Sequence, residues 1–191
     1  EIRRIQKATN ITTIFVTHDQ AEAMDVGDRL AVLRKGIVEQ IGSSDELYNH
    51  PKNAFVSNFI GKMNFFSSHV TSVDGVATAA KIDGTDITIA VDSDKCHVQA
   101  KEGDQVLLGG RPEHLAITSE KTDKSIPGRV HIIQHLGSFI RYEVDIDPSI
   151  SPTILEIDMD SLQKGVHEGD QVYVTFKEDK IALFSPEGKE L

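Results

Sequence analysis

The five residues Glu102-Gly-Asp-Gln-Val106 recur as Glu168-Gly-Asp-Gln-Val172, 66 residues further along the chain. The match continues without a gap: Leu108 aligns with Val174, Arg111 with Lys177, Leu115 with Ile181, Ala116 with Ala182 and Ile117 with Leu183. Each copy reads as a Gly-Asp turn, an alternating strand, a polar turn and a short strand. The repeat therefore implies two similar small barrels, or one pseudo-symmetric pair. Further strands are predicted at 66–73, 76–82, 87–91, 128–135, 140–146 and 153–157. Short strands at such regular spacing fit small antiparallel barrels.

The duplication accounts for only part of the 191 residues. Charge marks where it begins. Residues 1–62 carry eight Lys or Arg and eight Asp or Glu, so the whole net charge of −10 lies in residues 63–191. The composition changes at the same place, from alternating helix-like and strand-like stretches to a Val-, Ile- and Thr-rich region. Two units are expected, 1–62 and 63–191, joined near Gly61–Asn64. The acidic balance opposes nucleic acid as a partner. The single cysteine, Cys96, excludes a disulfide framework and a cysteine-based metal cluster. No apolar run approaches the ~18 residues that a membrane-spanning helix needs. No signal pattern stands at the N-terminus, which points to the cytoplasm.

The first unit reads as the end of an α/β domain. Ile2, Ile5 and Gln6 fit an amphipathic helix that Asn10 stops. The run Ile11-Thr-Thr-Ile-Phe-Val-Thr17 suits a strand covered on both faces of a parallel sheet. His18 and Asp19 stand at its carboxyl end. Asp19-Gln-Ala-Glu22 and Ser43-Ser-Asp-Glu46 both have capping-box spacing and open helices. Between them, Arg29–Arg34 and Ile37–Ile41 form a hairpin across Lys35-Gly36. A last helix covers Asn53 to Ile60, with Phe55, Val56, Phe59 and Ile60 on one face. Ligands of open α/β sheets sit beyond the carboxyl ends of the strands, beside helix N-termini that favour anions. On spacing alone, His18 either hydrogen-bonds a phosphate there or merely closes a strand.

Residues Ile11 to Met24, with Thr17-His-Asp-Gln-Ala-Glu22 at the centre, resemble the switch-histidine segment of ABC-transporter ATPases. Gly27–Leu33, Lys35–Gly42, Glu46–Tyr48 and Pro51–Gly61 continue the pattern of importer ATPases of the maltose and polyamine type, in the same order. Gly110-Arg-Pro-Glu-His-Leu115, Gly137–Tyr142 and Ile181–Phe184 resemble their C-terminal regulatory, OB-like TOBE domain. The resemblance implies an α/β remnant of an ABC ATPase domain followed by an all-β domain of two similar barrel halves. It implies that His18 contacts the γ-phosphate of ATP, with ATP and Mg as cofactors of the parent protein. The phosphate-cradling G-x-x-x-x-G-K-[ST], the signature segment and the Mg-holding acidic strand are missing from the sequence. The chain is then the C-terminal part of a longer ATPase, neither binding ATP tightly nor hydrolysing it alone. The implied partners are a second copy bound through residues 63–191, membrane permease subunits on the inner face of the cell membrane, and a small regulatory ligand. The junction Gly61-Lys-Met-Asn64 resembles the polyamine and iron branch more closely than the sugar branch.

Other features carry less. His131 and His135 are placed on one face of a strand, but no cysteine or close carboxylate completes a metal set. Asp145, Asp147, Asp158 and Asp160 lack EF-hand spacing and its glycine, and read as solvated strand ends. Arg111-Pro112-Glu113 reads as an intramolecular salt-bridge turn in preference to a ligand contact. The alternative function is a stand-alone sensor that binds a small ligand between the duplicated barrels.

Overall fold

A computed structural model describes residues 1–187 and divides the chain into two units, Glu1–Gly61 and a second that begins at Lys62. Residues 188–191 lie outside the described residues.

Local chemistry sets most elements of the first unit. Helix α1 (Ile2–Thr9) ends at Asn10, whose left-handed φ of 52° suits an amide side chain. Helix α2 (Gln20–Val26) starts at Asp19, whose carboxylate accepts the Glu22 N–H. Strands β1 (Leu30–Arg34) and β2 (Ile37–Gly42) form a hairpin. Lys35 and Gly36 both have positive φ, 49° and 82°, the twist that matches paired strands. Helix α3 (Ser44–Asn49) opens with a complete capping box between Ser43 and Glu46. Helix α4 (Ala54–Ile60) opens at Asn53, which accepts the Val56 N–H. Leu30, Val32, Leu47, Phe55, Val56 and Ile60 form the core of this unit.

One expectation fails here. Residues 11–17 form no strand, and Ile11, Ile14, Phe15 and Val16 are all exposed, Ile14 and Val16 each at 89%. A β-branched run has strand propensity, but a strand exists only where neighbours take up its N–H and C=O groups. Among the described residues of this unit the sheet is the β1–β2 hairpin alone, and it is antiparallel. The doubly covered parallel strand is therefore not formed, and His18 stands at the end of an extended loop.

Among the described residues the second unit contains ten strands: β3 (Asn64–Val73), β4 (Ala77–Ile82), β5 (Thr88–Asp92), β6 (Gln105–Gly110), β7 (Leu115–Thr118), β8 (Ile126–His135), β9 (Ile140–Ile146), β10 (Ile154–Met159), β11 (Gln171–Phe176) and β12 (Ala182–Phe184). They make two five-stranded antiparallel sheets with the orders β12-β6-β3-β4-β5 and β7-β11-β8-β9-β10. The two orders are the same once β3–β7 are matched to β8–β12, except that the last strand of each repeat lies in the sheet of the other. Leu183 of β12 pairs with Leu108 of β6, and Ile117 of β7 pairs with Val174 of β11. Each sheet curls until its outer strands lie alongside one another without ladder hydrogen bonds, β10 beside β7 and β5 beside β12. The halves are thus barrel-like, as the duplication predicts, but neither is built from one repeat alone. Buried side chains of both sheets, including Phe66, Leu108, Tyr142, Val144, Leu155 and Leu183, form one continuous core.

The repeated Gly-Asp turn has a clear role. Gly103 and Gly169 have φ of +87° and +88°, a region that costs a side chain but not glycine. Their N–H groups donate to the carbonyls of Val70 (2.9 Å) and Val130 (2.7 Å). In return, Val70 N–H donates to Asp104 O and Val130 N–H to Asp170 O, both at 2.9 Å. Each of these valines stands at a register shift, in β3 between Val70 and Ser72 and in β8 between Val130 and Ile132. The turn therefore supplies the bonds that the neighbouring strand loses at the bulge.

Candidate functional site

His18 is exposed and immediately precedes the N-cap of α2. Around it, three hydrogen bonds tie down the backbone. The Thr17 hydroxyl donates to Glu22 Oε2 at 3.0 Å, and the Asp19 N–H donates back to Thr17 Oγ1 at 3.0 Å. Asp19 Oδ1 accepts the Glu22 N–H at 3.0 Å. The capping box expected over Asp19–Glu22 is thus half formed: Asp19 caps, but Glu22 takes the Thr17 hydroxyl instead of the Asp19 N–H. Among the described residues, no hydrogen bond or ion pair involves the His18 imidazole.

The far end of α2 is held by α1. Arg3 donates to the carbonyls of Asp25, Val26 and Gly27, the best of these at 2.8 Å, and both Arg3 and Lys7 pair with Asp28. Cations are favourable at a helix C-terminus. The Lys7 ammonium bonded to Asp28 holds that carboxyl below its ordinary range. A shallow hollow of about 440 Å³ lies beside these groups, bordered by Arg3, Met24, Asp28 and Ser44. His18 does not line it.

In the second unit the other singled-out residues are mostly engaged by structure. His131 sits in the β8 bulge and bonds to Asp145 at 3.0 Å, while His135 pairs with Ile140. Ile140 has the parity of the buried Tyr142 and Val144. The bulge breaks the two-residue alternation, so the two histidines do not share the face expected of them. Asp158 receives a forked pair of bonds from Arg141, each 2.7 Å, and Glu156 lies 3.0 Å from the same guanidinium. The bonded Asp158 raises Arg141 further above its ordinary value. Asp147 accepts from both the amide and the hydroxyl of Ser149, the hydroxyl bond lowering its carboxyl. Among the described residues, no group of three or more His, Cys, Asp or Glu is arranged to hold a metal ion. Burial pushes the Cys96 thiol up.

Asn64 carries a role that sequence reading missed. Its buried amide donates to Glu156 O at 2.8 Å and accepts the Glu156 N–H at 2.9 Å. A side chain thereby replaces a strand at the free edge of β10. The available signal was a lone amide at the start of the apolar run Phe65-Phe66.

Arg111 is buried, and Pro112–His114 form one turn of 3₁₀ helix. The neighbouring copy meets it there: Lys177 N–H donates to His114 O, and Lys177 Nζ to Glu113 O. Burial pushes the half-buried His114 imidazole below its ordinary 6.5; Glu113 opposes this, and Arg111, Lys177 and Lys180 reinforce it. The unfolded chain then takes a proton that the folded one refuses. Stability contributed here is fully present above about pH 6.5 and lost as pH falls through the folded value. Replacing His114 by Gln is expected to flatten that part of the stability profile between pH 7 and pH 5, read as denaturant midpoints at each pH. A profile with the wild-type slope would count against it.

No helix among the described residues is long and apolar enough to cross a membrane. The strand-exchanged pair of OB-like sheets marks a TOBE-type module, and residues 108–184 match the TOBE domain family. Along nearly its whole length the chain is similar to ATP-binding subunits of ABC importers. It is 34% identical to the maltose/maltodextrin import ATP-binding protein MalK of Vibrio vulnificus over 192 residues, which cover 99% of this chain and 50% of that protein. It is 37% identical over 155 residues to the spermidine/putrescine import ATP-binding protein PotA of Pseudomonas fluorescens, covering 81% of this chain and 40% of that protein. The chain spans about half the length of the curated relatives it matches. The chain is thus similar to the C-terminal part of ABC importer ATP-binding subunits, TOBE domain included. Among solved structures, the cytoplasmic molybdate-binding protein ModG shares the fold. Its TM-score is 0.52 at 14% identity, over 64% of this chain and 96% of ModG.

Proposed function

We propose that the complete protein is the ATP-hydrolysing subunit of an ABC importer. In this reading residues 1–62 are the last part of its ATPase domain, and His18 contacts the γ-phosphate of Mg-bound ATP. Phosphoryl transfer depends on positioning and charge stabilisation more than on covalent help from the protein, and an exposed imidazole on a hydrogen-bonded turn suits that role. The carrying observation is similarity over 99% of the chain to a MalK protein, at 34% identity. The exposed apolar run Ile11–Val16 supports it, because such a run is at home in a covered sheet of a larger α/β domain.

Residues 63–191 serve regulation and self-association, and the membrane permease subunits are the other partners. The subunit then works on the cytoplasmic face of the membrane. The segment in hand, without a phosphate-cradling loop, does not turn over ATP by itself. In the complete subunit His18→Ala is expected to lower ATP hydrolysis at least about a hundredfold with nucleotide binding retained. Unchanged turnover would remove the assignment. Self-association is expected to show as a 42 kDa species in light scattering at about 100 μM, where mass action favours the dimer. A species that stays at the 21.0 kDa of one chain would oppose it.

A further inference from the structure

We propose that Thr17 and Glu22 are positioning residues for His18; this rests on the γ-phosphate reading of His18 and deepens it. An ionised carboxylate only accepts, and a hydroxyl has a single proton to give. Glu22 Oε2, 3.0 Å from Thr17 Oγ1, therefore commits the Thr17 proton. A Thr17 lone pair is left for the Asp19 N–H, also at 3.0 Å. The Glu22 N–H closes the circuit on Asp19 Oδ1. His18 lies inside this loop of three bonds, flanked on both sides by residues whose side chains are tied down. Its own imidazole has no partner among the described residues, so what the circuit sets is the backbone that carries the ring and the direction of its Cα–Cβ bond. Rotation of the His18–Asp19 peptide plane breaks the bond from the Asp19 N–H to Thr17 Oγ1.

Simple capping does not explain the arrangement. A capping box would put Glu22 on the Asp19 N–H, as Glu46 is placed on the Ser43 N–H at the start of α3. Here the acidic residue at the same spacing reaches past the cap to Thr17. Helix α2 keeps its cap through Asp19 alone. The Thr17–Glu22 bond is therefore additional to what the helix start requires, and what it holds is the turn that carries His18.

Displacing a reacting group by about 1 Å can cost on the order of a hundredfold in rate. In the complete subunit, Thr17→Val, which keeps the shape and removes the hydroxyl, is expected to lower kcat about tenfold or more with KM for Mg-ATP within about twofold. Thr17→Ser is expected to restore kcat to within about threefold. The double variant of Thr17→Val with Glu22→Ala should be no worse than the poorer single one, because both remove the same contact. In the chain described here, hydrogen exchange of the Asp19 amide should be slow in the wild type and Thr17→Ser and about tenfold faster in Thr17→Val. Wild-type kcat in Thr17→Val, alongside an inactive His18→Ala, overturns the positioning role and leaves His18 in place. Full turnover in His18→Ala overturns the reading beneath it instead. Additive losses in the double variant, or weakened nucleotide binding with unchanged kcat, also overturn the positioning role.

Discussion

Ending the chain after Lys180 is expected to unfold the whole second unit, although the cut removes only the last short strand and its flanks. Ile181, Leu183 and Phe184 are each at most 1% exposed, and β12 is the outer neighbour of β6 in the sheet of the other repeat. Burying a large apolar side chain is worth about 1.5–3 kcal/mol, so the three together contribute roughly 5–9 kcal/mol. A domain of this size has about 5–15 kcal/mol in total. The core is continuous across both sheets, so the loss is shared and the loss of structure is cooperative. Circular dichroism through a urea titration checks this: the truncated chain should show no cooperative β transition. A midpoint like that of the full chain would mean that β12 is not integral to the fold.

The second large effect belongs to Asn64→Ala. The substitution leaves both the N–H and the C=O of Glu156 without their amide partner at the free edge of β10. An unsatisfied buried polar group costs about 1–3 kcal/mol, so a loss of about 2–5 kcal/mol is expected in denaturant unfolding, with an unchanged slope. Lys62→Ala is the natural comparison, because it removes an ion pair from an exposed lysine to the half-buried side chain of the same Glu156. Exposed pairs contribute about 0–1 kcal/mol. Equal effects of the two substitutions would mean that the amide does not hold the edge.

These two positions show what sequence could and could not disclose. Elements governed by a few neighbouring residues were legible. Asn10, Ser43 and Asn53 mark helix ends, Lys35-Gly36 marks a hairpin, and alternating Val and Ile mark the strands of the second unit. Ile11–Thr17 misled because strand propensity is local whereas strand existence depends on partners elsewhere. The repeat disclosed two copies of a strand pattern, but an alignment of a chain with itself does not say which copy pairs with which. The exchange of β7 and β12 was therefore out of reach. So were the bulges, which insert one residue into an alternation that otherwise looks regular, and which separate His131 from His135. At the candidate site, His18 could be named from its neighbours in the chain. The Thr17–Glu22 bond could not, because the same spacing that predicts a capping box at Ser43–Glu46 yields a different bond at Asp19–Glu22.

The exchange of final strands also bears on how such a domain can change over generations. Tandem duplications are ordinarily reversible, since recombination between the copies deletes one and restores the single ancestor. Here a deletion of that kind would leave a half whose last strand was shaped for a partner sheet that no longer exists. Its β6 edge would be bare and its own short strand would have no place to pair. The doubling has become a ratchet: each repeat is free to drift in its loops and surface, but neither can be lost.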